Sequence, residues 1–366
     1  MPLAAIESLE TPIPVVDLDR LDANLARMAR YAAAHRLALR PHVKTHKAPR
    51  VARAQLAAGA VGLTCATPRE LEVMATVAPP SLLLAYPPIG AGRIRRLMTL
   101  PPEVPLRVAL DSPEAVAALA AAARDHDRTV AVLVEVDLGM GRVGVGSPEA
   151  LVDLARRVAA TSPLRFEGVA FYPGHLRDTT ESSESGWQRL CTDLGARLEA
   201  LDRAGLAPAT VSGGSTPTAW RSHELPGLNE MRPGTYVYND RATVVAGAAG
   251  RDDCALTVLA TVVSTAVAGQ VVVDAGTKSL GREPRGGDGD WGFGELLDRP
   301  EVRVRAMSEE HGILDLSTTS WRPRVGDRVR IIPNHVCIVT HLFDEVAGVR
   351  GDAVVERWAV AARGRG

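Results

Sequence analysis

The chain alternates short β-type runs with longer helical segments between residues 18 and 232. Eight such runs occur, at residues 37–40, 61–65, 81–86, 106–110, 130–136, 166–171, 210–213 and 227–231. Strands that alternate with helices form parallel sheets, because each helix returns the chain to the same edge. The Ala- and Arg-rich segments 18–35, 114–127, 148–160 and 183–204 are long enough for outer helices. The pattern predicts an α/β fold, a (β/α)8 TIM-type barrel, rather than an open doubly wound sheet.

The last third of the chain has a different pattern. After residue 239, β-branched runs separated by Gly- and Pro-rich turns lie at residues 256–265, 270–274, 302–305, 325–332 and 354–361. We therefore expect a barrel domain at residues 12–238 and a mostly β domain at residues 239–366. Residues 1–17 are expected to join the β domain, because the stretch 11–17 reads as an extended strand. The glycine-rich segment 281–294 is either a lid or an ordinary surface loop.

Composition narrows the class of partner. The 366 residues carry a net charge of -1, which gives no reason to expect nucleic acid or an anionic membrane as a partner. A small-molecule substrate is expected instead. The sequence has no signal-peptide pattern and no apolar run of about 18 residues, which predicts a cytoplasmic location. The four cysteines are too scattered for a disulfide framework or a CxxC metal site.

The most specific chemistry lies in a basic run directly after the first predicted strand. Residues 40–47 read Arg-Pro-His-Val-Lys-Thr-His-Lys, which places Lys44 at the predicted barrel mouth. An amine there, with a phosphate cradle further along the chain, is how an enzyme holds an aldehyde cofactor as a Schiff base. The alternative is a solvated basic loop. The context favours pyridoxal 5'-phosphate as the cofactor and Lys44 as the residue that binds it.

A phosphate cradle is predicted after the seventh strand, where residues 211–217 read Val-Ser-Gly-Gly-Ser-Thr-Pro. Paired glycines and hydroxyls expose backbone N–H groups that can wrap a phosphate, and this is the usual phosphate position of the barrel. The candidate residues are Gly213, Gly214, Ser215 and Thr216. Arg142 lies in the glycine-rich stretch 136–144, and a structural ion pair at a strand end is one interpretation of it.

A metal site is predicted in the β domain, where His335 and Cys337 are separated by one residue. Two side chains at positions i and i+2 of a strand share one face, so both can reach one ion. A thiolate with an imidazole selects zinc over magnesium or manganese, and an open zinc site acts as a Lewis acid. The alternative is a packed strand without metal. His341, six residues after His335, either adds to the site or is a surface histidine.

These motifs together resemble the D-serine dehydratase and D-threonine aldolase family, which belongs to the fold-type III pyridoxal phosphate enzymes together with alanine racemase. The similarity runs from Pro12 to Gly364. It implies that Lys44 forms the Schiff base and, once substrate displaces it, takes the α-proton. It also implies that Arg142 hydrogen-bonds the phenolic oxygen of the cofactor.

The same resemblance extends to the stretch 230–240 and to the metal pair. It implies that Gly234 and Thr235 complete the phosphate site, and that Arg232 or Tyr172 faces the pyridine nitrogen. It implies His335 and Cys337 as metal ligands, and a homodimer as the assembly. A family-like segment with Glu309, Glu310 and His311 has no assigned role.

Two reactions compete for a D-3-hydroxy amino acid bound in such a site. Loss of the β-hydroxyl gives a 2-oxo acid and ammonia, whereas cleavage of Cα–Cβ gives glycine and an aldehyde. The resemblance associates His-x-Cys mainly with dehydratases, so we favour a dehydratase of the D-serine or D-threonine type over an aldolase. A non-catalytic pyridoxal phosphate carrier is the more distant alternative. An arginine such as Arg221 or Arg241 near the site would favour a carboxylate as the β-substituent.

Overall fold

The computed structural model describes residues 3–177, 181–283 and 291–364. It consists of two compact units. The barrel unit contains Arg27–Lys44 and Pro49–Gly234, and the β unit contains Met1–Ala26, Thr45–Ala48 and Thr235–Gly364. Residues 284–290 of the predicted lid or loop lie outside the described ranges.

The strands are β1 (Ala4–Ala5), β2 (Ile13–Asp17), β3 (Ala38–Leu39), β4 (Leu63–Cys65), β5 (Leu82–Leu84), β6 (Leu106–Leu110), β7 (Val130–Glu135), β8 (Leu164–Ala170), β9 (Thr210–Gly213), β10 (Glu230–Met231), β11 (Leu256–Ser264), β12 (Gln270–Val273), β13 (Gly294–Leu296), β14 (Val304–Met307), β15 (Gly312–Asp315), β16 (Arg328–Pro333), β17 (Glu345–Arg350) and β18 (Ala353–Ala359). The α-helices are α1 (Leu18–Ala34), α2 (Pro49–Ala57), α3 (Pro68–Ala75), α4 (Ala91–Met98), α5 (Pro113–Asp125), α6 (Pro148–Ala159), α7 (Glu181–Arg203), α8 (Arg241–Val245), α9 (Thr277–Leu280) and α10 (Val336–Leu342). Within the described ranges, no helix combines the length and the apolar character needed to cross a bilayer.

Strands β3 to β10 form one parallel sheet in the order β3-β10-β9-β8-β7-β6-β5-β4. The first and last strands of this order, β3 and β4, are joined as well. Val61 N donates to Leu39 O and Thr64 N donates to Pro41 O, and both donor–acceptor distances are 2.9 Å. These bonds close the sheet into a barrel. The TIM-type barrel and all eight of its predicted strands are therefore confirmed.

The barrel interior has an apolar layer above a charged one. The apolar layer consists of buried side chains from four adjacent strands, namely Leu83, Ala109, Leu133 and Ala170. Nearer the amino ends of the strands, Arg107 forms ion pairs with Glu167 at 2.7 Å and with Glu230 at 3.2 Å. Arg40 Nε donates to the same Glu230 carboxylate over 2.7 Å. Because Arg40, Glu167 and Glu230 are buried and Arg107 is only partly exposed, each charge depends on its partner for stability.

The β unit is a ten-stranded sheet. The N-terminal strand β2 lies inside it, antiparallel to β11 and parallel to β17. Apolar side chains from both ends of the chain pack together in its core, namely Ile6, Leu9, Ile13, Val15, Leu259, Ala347, Val349 and Val354. The paired strands and the shared core bring the first residues of the chain into one unit with the last third.

The predicted strand for the metal pair is wrong. Strand β16 ends at Pro333, and residues 336–342 form the helix α10 with His335 as its N-cap residue. The β-branched side chains of this segment favour a strand, but a tertiary contact overrides that preference. Val336 N, which has no acceptor within the helix, donates to the Asp240 carboxylate over 3.1 Å. Strands β1, β13, β15 and β17 were not predicted from the sequence.

Candidate active site

Lys44 lies at the carboxyl end of the first barrel strand, β3, in the short turn Val43–Thr45. Its backbone N donates to His42 Nδ1 over 3.3 Å, and His42 N donates to Pro233 O over 3.0 Å. Pro233 follows β10, which is the neighbour of β3 in the sheet. The turn is thus held by the loops after two adjacent strands, at the end of the barrel where active sites of this fold lie.

Two of the predicted cofactor residues, Lys44 and Arg142, lie beside the aromatic ring of a third, Tyr172. Lys44 Nζ lies 5.3 Å from the ring centroid of Tyr172, and Arg142 Cζ lies 5.0 Å from the same centroid. A side chain at Gly174 would overlap this ring, because a Cβ atom there would lie 2.1 Å from Tyr172 Cε1. The structure therefore brings Lys44, Arg142 and Tyr172 together from the loops after β3, β7 and β8.

Arg232, the second candidate for the pyridine nitrogen, is buried directly after β10. Its Nη2 donates to Phe171 O over 2.9 Å, whereas its Nη1 has no hydrogen-bond partner among the described residues. Burial lowers the pKa of Arg232, and the carboxylates of Glu135 and Glu230 oppose that effect. A buried guanidinium with one unfilled N–H donor fits an acceptor atom on a bound group, such as a ring nitrogen.

Glu135 is a residue that the sequence analysis missed. It is the last residue of β7 and is buried two positions after Leu133, so both side chains face the barrel interior. Burial raises the pKa of its carboxyl, and the nearby charges of Arg232 and Arg142 oppose the rise. Alternation along the predicted strand was the signal that could have identified it. Glu135 thus links the two arginines electrostatically.

The predicted phosphate segment has the features of a cradle. A Cβ atom at Gly213 would lie 2.3 Å from the Phe171 ring, so only glycine fits there. Gly214 has a φ of +91°, and a Cβ atom there would lie 3.4 Å from Ser222 Oγ. Ser222 is fully buried, and its Oγ has no partner in the described part of the chain. This hydroxyl, which sequence analysis missed, supplies an unused donor beside the glycine pair.

Three other residues predicted to bind phosphate are buried. Ser215 and Thr216 follow β9 in the chain, and Gly234 follows β10. Thr235 has a different environment, because its Oγ1 lies 4.0 Å from the sulfur of Cys337 in the β unit. The side chain of Thr235 therefore lies beside the predicted metal pair, while its backbone is the part that the sequence assigns to phosphate binding.

His335 and Cys337 lie at the start of α10 and hydrogen-bond each other through their side chains. His335 Nδ1 also bonds Asp240 Oδ2 at 2.9 Å. Burial lowers the pKa of His335, but the Cys337 thiolate and the Asp240 carboxylate together raise it to about 11. An imidazole and a thiol that share a proton can instead share a metal ion, so this pair fits a divalent cation with affinity for nitrogen and sulfur.

No group of three or more His, Cys, Asp and Glu side chains within the described ranges could hold a metal ion. His335 and Cys337 would therefore leave the other coordination positions to water or substrate. His341 is exposed on α10, which agrees with the alternative of a surface histidine. Glu310 forms an exposed ion pair with Lys278 at 2.7 Å, and His311 is exposed beside it.

Neither arginine considered for a substrate carboxylate has an unoccupied guanidinium. Arg221 forms ion pairs with Glu184 at 2.6 Å and Glu224 at 2.7 Å. Arg241 forms an ion pair with Glu295 at 2.9 Å and donates to Asn334 Oδ1 over 2.6 Å. Because both guanidinium groups are already paired within the protein, neither arginine supports a carboxylate as the β-substituent of the substrate.

Comparison with known proteins identifies the family. The alanine racemase N-terminal domain family matches residues 16–242, and the serine dehydratase domain family matches residues 255–349. The chain is 35% identical over 373 residues to the D-threo-3-hydroxyaspartate dehydratase of Delftia sp. strain HT23, covering 96% of this chain and 97% of that enzyme. The chain belongs to the D-serine dehydratase and D-threonine aldolase family.

Solved structures of the family share the whole fold. D-threonine aldolase from Filomicrobium marinum is 32% identical and superposes with a TM-score of 0.90 over 99% of both chains. A cysteine-to-alanine variant of D-threo-3-hydroxyaspartate dehydratase, solved in a metal-free form, is 33% identical with a TM-score of 0.90 over 99% of this chain and 100% of that one. This family uses pyridoxal phosphate, and the unfilled donors of Arg232 and Ser222 fit such a cofactor.

Proposed function

We propose that this protein is a pyridoxal phosphate- and divalent metal-dependent lyase that dehydrates D-3-hydroxy amino acids to a 2-oxo acid and ammonia. The observation that carries the proposal is the meeting of Lys44 and Arg142 at the Tyr172 ring, at the carboxyl ends of the barrel strands. The Delftia relative is a dehydratase of such an amino acid, which supports the substrate class.

The residues that would hold the cofactor have separate tasks. Lys44 would bind the aldehyde, Arg142 its phenolic oxygen and Arg232 Nη1 its ring nitrogen. The phosphate would lie against a set of backbone and hydroxyl donors, namely Gly213, Gly214, Ser215, Thr216, Ser222, Gly234 and Thr235. When bound, the cofactor supplies electron withdrawal from Cα. Lys44, once released by the substrate, would act as the base that takes the α-proton.

His335 and Cys337 would hold the metal, and their thiolate and imidazole groups favour zinc. A divalent ion there supplies Lewis acidity to a substrate oxygen, which weakens the bond from Cβ to its hydroxyl. The protein itself fixes the two ligands at the start of one helix, so their separation does not depend on a flexible loop. A strong Lewis acid favours loss of hydroxide, which is why we propose dehydration.

Retro-aldol cleavage to glycine and an aldehyde is the second candidate. The D-threonine aldolase structure is as similar in fold as those of the dehydratase, so the fold does not discriminate between the two reactions. A non-catalytic cofactor carrier is the third candidate. It would bind pyridoxal phosphate and consume no D-3-hydroxy amino acid.

The deciding experiment is product analysis of the protein loaded with zinc and pyridoxal phosphate. D-serine, D-threonine and D-threo-3-hydroxyaspartate are supplied separately, and 2-oxo acid with ammonia is measured against glycine with aldehyde. We expect the first pair of products. Lys44→Ala should abolish turnover, and Cys337→Asp should reduce dehydration. Glycine and aldehyde from the native protein would overturn the dehydratase assignment, and no turnover of any substrate would favour the carrier.

Three further expectations remain predictions: the domain boundary between residues 238 and 239, a homodimeric assembly and a cytoplasmic location. Sedimentation of the holoenzyme tests the second, and fractionation of the native host cell tests the third.

A further inference from the structure

Asp240 is a fully buried carboxylate with three hydrogen-bond donors around it. Its Oδ2 accepts from His335 Nδ1 over 2.9 Å and from Val336 N over 3.1 Å. Its Oδ1 accepts from Thr243 N over 2.8 Å, which caps helix α8. One side chain therefore fixes the start of α8, the start of α10 and the ring of His335.

The contact determines which nitrogen of His335 is available to a metal. A carboxylate accepts hydrogen bonds and does not donate them, so the proton of the neutral imidazole must be on Nδ1. Nε2 then carries the lone pair, and the ring cannot rotate without breaking the bond to Asp240. Outer carboxylates of this kind set the tautomer and orientation of metal-binding histidines.

Cys337 also has an outer partner. Thr45 Oγ1 lies 3.2 Å from the Cys337 sulfur, and Thr45 is fully buried. The backbone of Thr45 is held in turn, because Thr340 Oγ1 donates to Thr45 O over 2.7 Å. A thiolate has no proton to donate, so a metal-bound Cys337 must accept from the Thr45 hydroxyl. That hydrogen bond would withdraw charge from the sulfur.

We infer that Asp240 and Thr45 are positioning residues of the metal centre: Asp240 presents His335 Nε2, and Thr45 tunes the Cys337 thiolate. This inference rests on the proposed metal site at His335 and Cys337. Thr45 follows Lys44 directly in the chain. Asp240 is the last residue of the stretch 230–240, which also contains Gly234 and Thr235. The two segments predicted to bind the cofactor thus also supply the outer partners of both metal ligands.

The first test measures zinc affinity of the holoenzyme by competition with a chromophoric chelator. Asp240→Asn should weaken zinc binding about 10- to 100-fold. Thr243→Ala is the matched control, because it removes the other half of the α8 cap and leaves the Asp240–His335 contact in place. We expect the control to bind zinc within about 3-fold of the native protein. Equal losses in both variants would mean that Asp240 acts only as a helix cap.

The second test measures the native protein directly and uses a variant only to assign the signal of His335. Selective 15N-histidine labelling of the zinc-loaded holoenzyme, with His335→Gln for assignment, reports which ring nitrogen carries the proton. We expect Nδ1–H and a zinc-bound Nε2. Zinc on Nδ1, or a proton on Nε2, would overturn the role of Asp240 even if the metal site is correct.

The third test addresses Thr45 through cobalt substitution. Thr45→Val should shift the sulfur-to-cobalt charge-transfer band, because the thiolate loses its hydrogen bond, while Thr45→Ser keeps the hydroxyl and should leave the band in place. An unshifted band in Thr45→Val overturns the role of Thr45. If the metal does not bind at His335 and Cys337 at all, the result differs: His335→Ala would then bind zinc as tightly as the native protein.

Discussion

Arg40 Nε donates to Glu230 Oε2 over 2.7 Å inside the barrel, where both side chains are almost fully buried. Arg40 is the first residue of the basic run that contains Lys44, yet its guanidinium is directed into the charged layer of the barrel interior. Burial lowers the pKa of Arg40, and the Glu230 charge opposes that effect. The run therefore contains both a buried structural cation, Arg40, and the predicted cofactor residue, Lys44.

Glu230→Gln should destabilise the protein strongly. The substitution leaves Arg40 and Arg107 beside an uncharged amide, and breaking a buried ion pair costs about 3–5 kcal/mol. Glu72→Gln is the control, because Glu72 forms an ion pair with Arg96 at 2.6 Å between side chains that are about one-third exposed, and such a pair contributes about 0–1 kcal/mol. Urea unfolding of both variants measures the difference. Equal effects would show that the interior layer is not held by its charges.

Arg232→Met should weaken pyridoxal phosphate binding about 10- to 100-fold, because it removes the N–H donor that is unfilled among the described residues. Tyr172→Phe keeps the ring beside Lys44 and Arg142, so affinity should stay within about 3-fold. Titration of the cofactor, followed by imine absorbance, measures both. The reverse pattern would assign the pyridine nitrogen to Tyr172.

Ser222→Ala should reduce affinity for pyridoxal phosphate about 5-fold, which corresponds to one hydrogen bond of about 1 kcal/mol. Its buried hydroxyl lies beside Gly214 in the predicted phosphate segment. Pyridoxal without phosphate is the control ligand, and its affinity should not change. A parallel loss with both ligands would show that Ser222 supports the fold rather than the phosphate.

Glu135→Gln should reveal a pH-dependent contribution to stability. The pKa of Glu135 is raised in the folded protein, mainly by burial, so the folded state keeps a proton that the unfolded state releases. The stability of the native protein relative to Glu135→Gln should therefore fall as pH rises from about 5 to about 8. Urea midpoints at the two pH values test this. A relative stability that increases with pH would mean that the two arginines outweigh burial.

The barrel could be predicted because its signal is local and repeated. Runs such as residues 106–110 and 210–213 have the same bounds in the structure as strands β6 and β9. The β unit was harder, because β13 and β15 are short, and β13, β15 and β17 each pair with a strand far away in sequence, namely β16, β12 and β2. Helix α10 was predicted as a strand because its residues are β-branched. The backbone hydrogen bond from Val336 N to the distant Asp240 carboxylate, which supports the helix start, is not visible in the sequence.

The same difference applies to the candidate site. Lys44, Arg142 and the glycine pair at 213 and 214 were identified from sequence, since each lies in a short motif next to a predicted strand. Glu135, Ser222, Thr45 and Asp240 were not, because an isolated Glu, Ser, Thr or Asp has no distinctive pattern. Only their contacts with residues from other segments distinguish them.

The sequence by itself determined the family and the barrel, and it predicted Lys44 as the residue that binds the cofactor, because these inferences depend on periodicity and on motifs of adjacent residues. Tertiary structure alone decided that the metal pair begins a helix, that Asp240 holds His335 and that Arg232 keeps an unfilled donor among the described residues. Hydrogen bonding and burial depend on distances in space, and residues 95 positions apart in the chain, such as Asp240 and His335, meet only after folding.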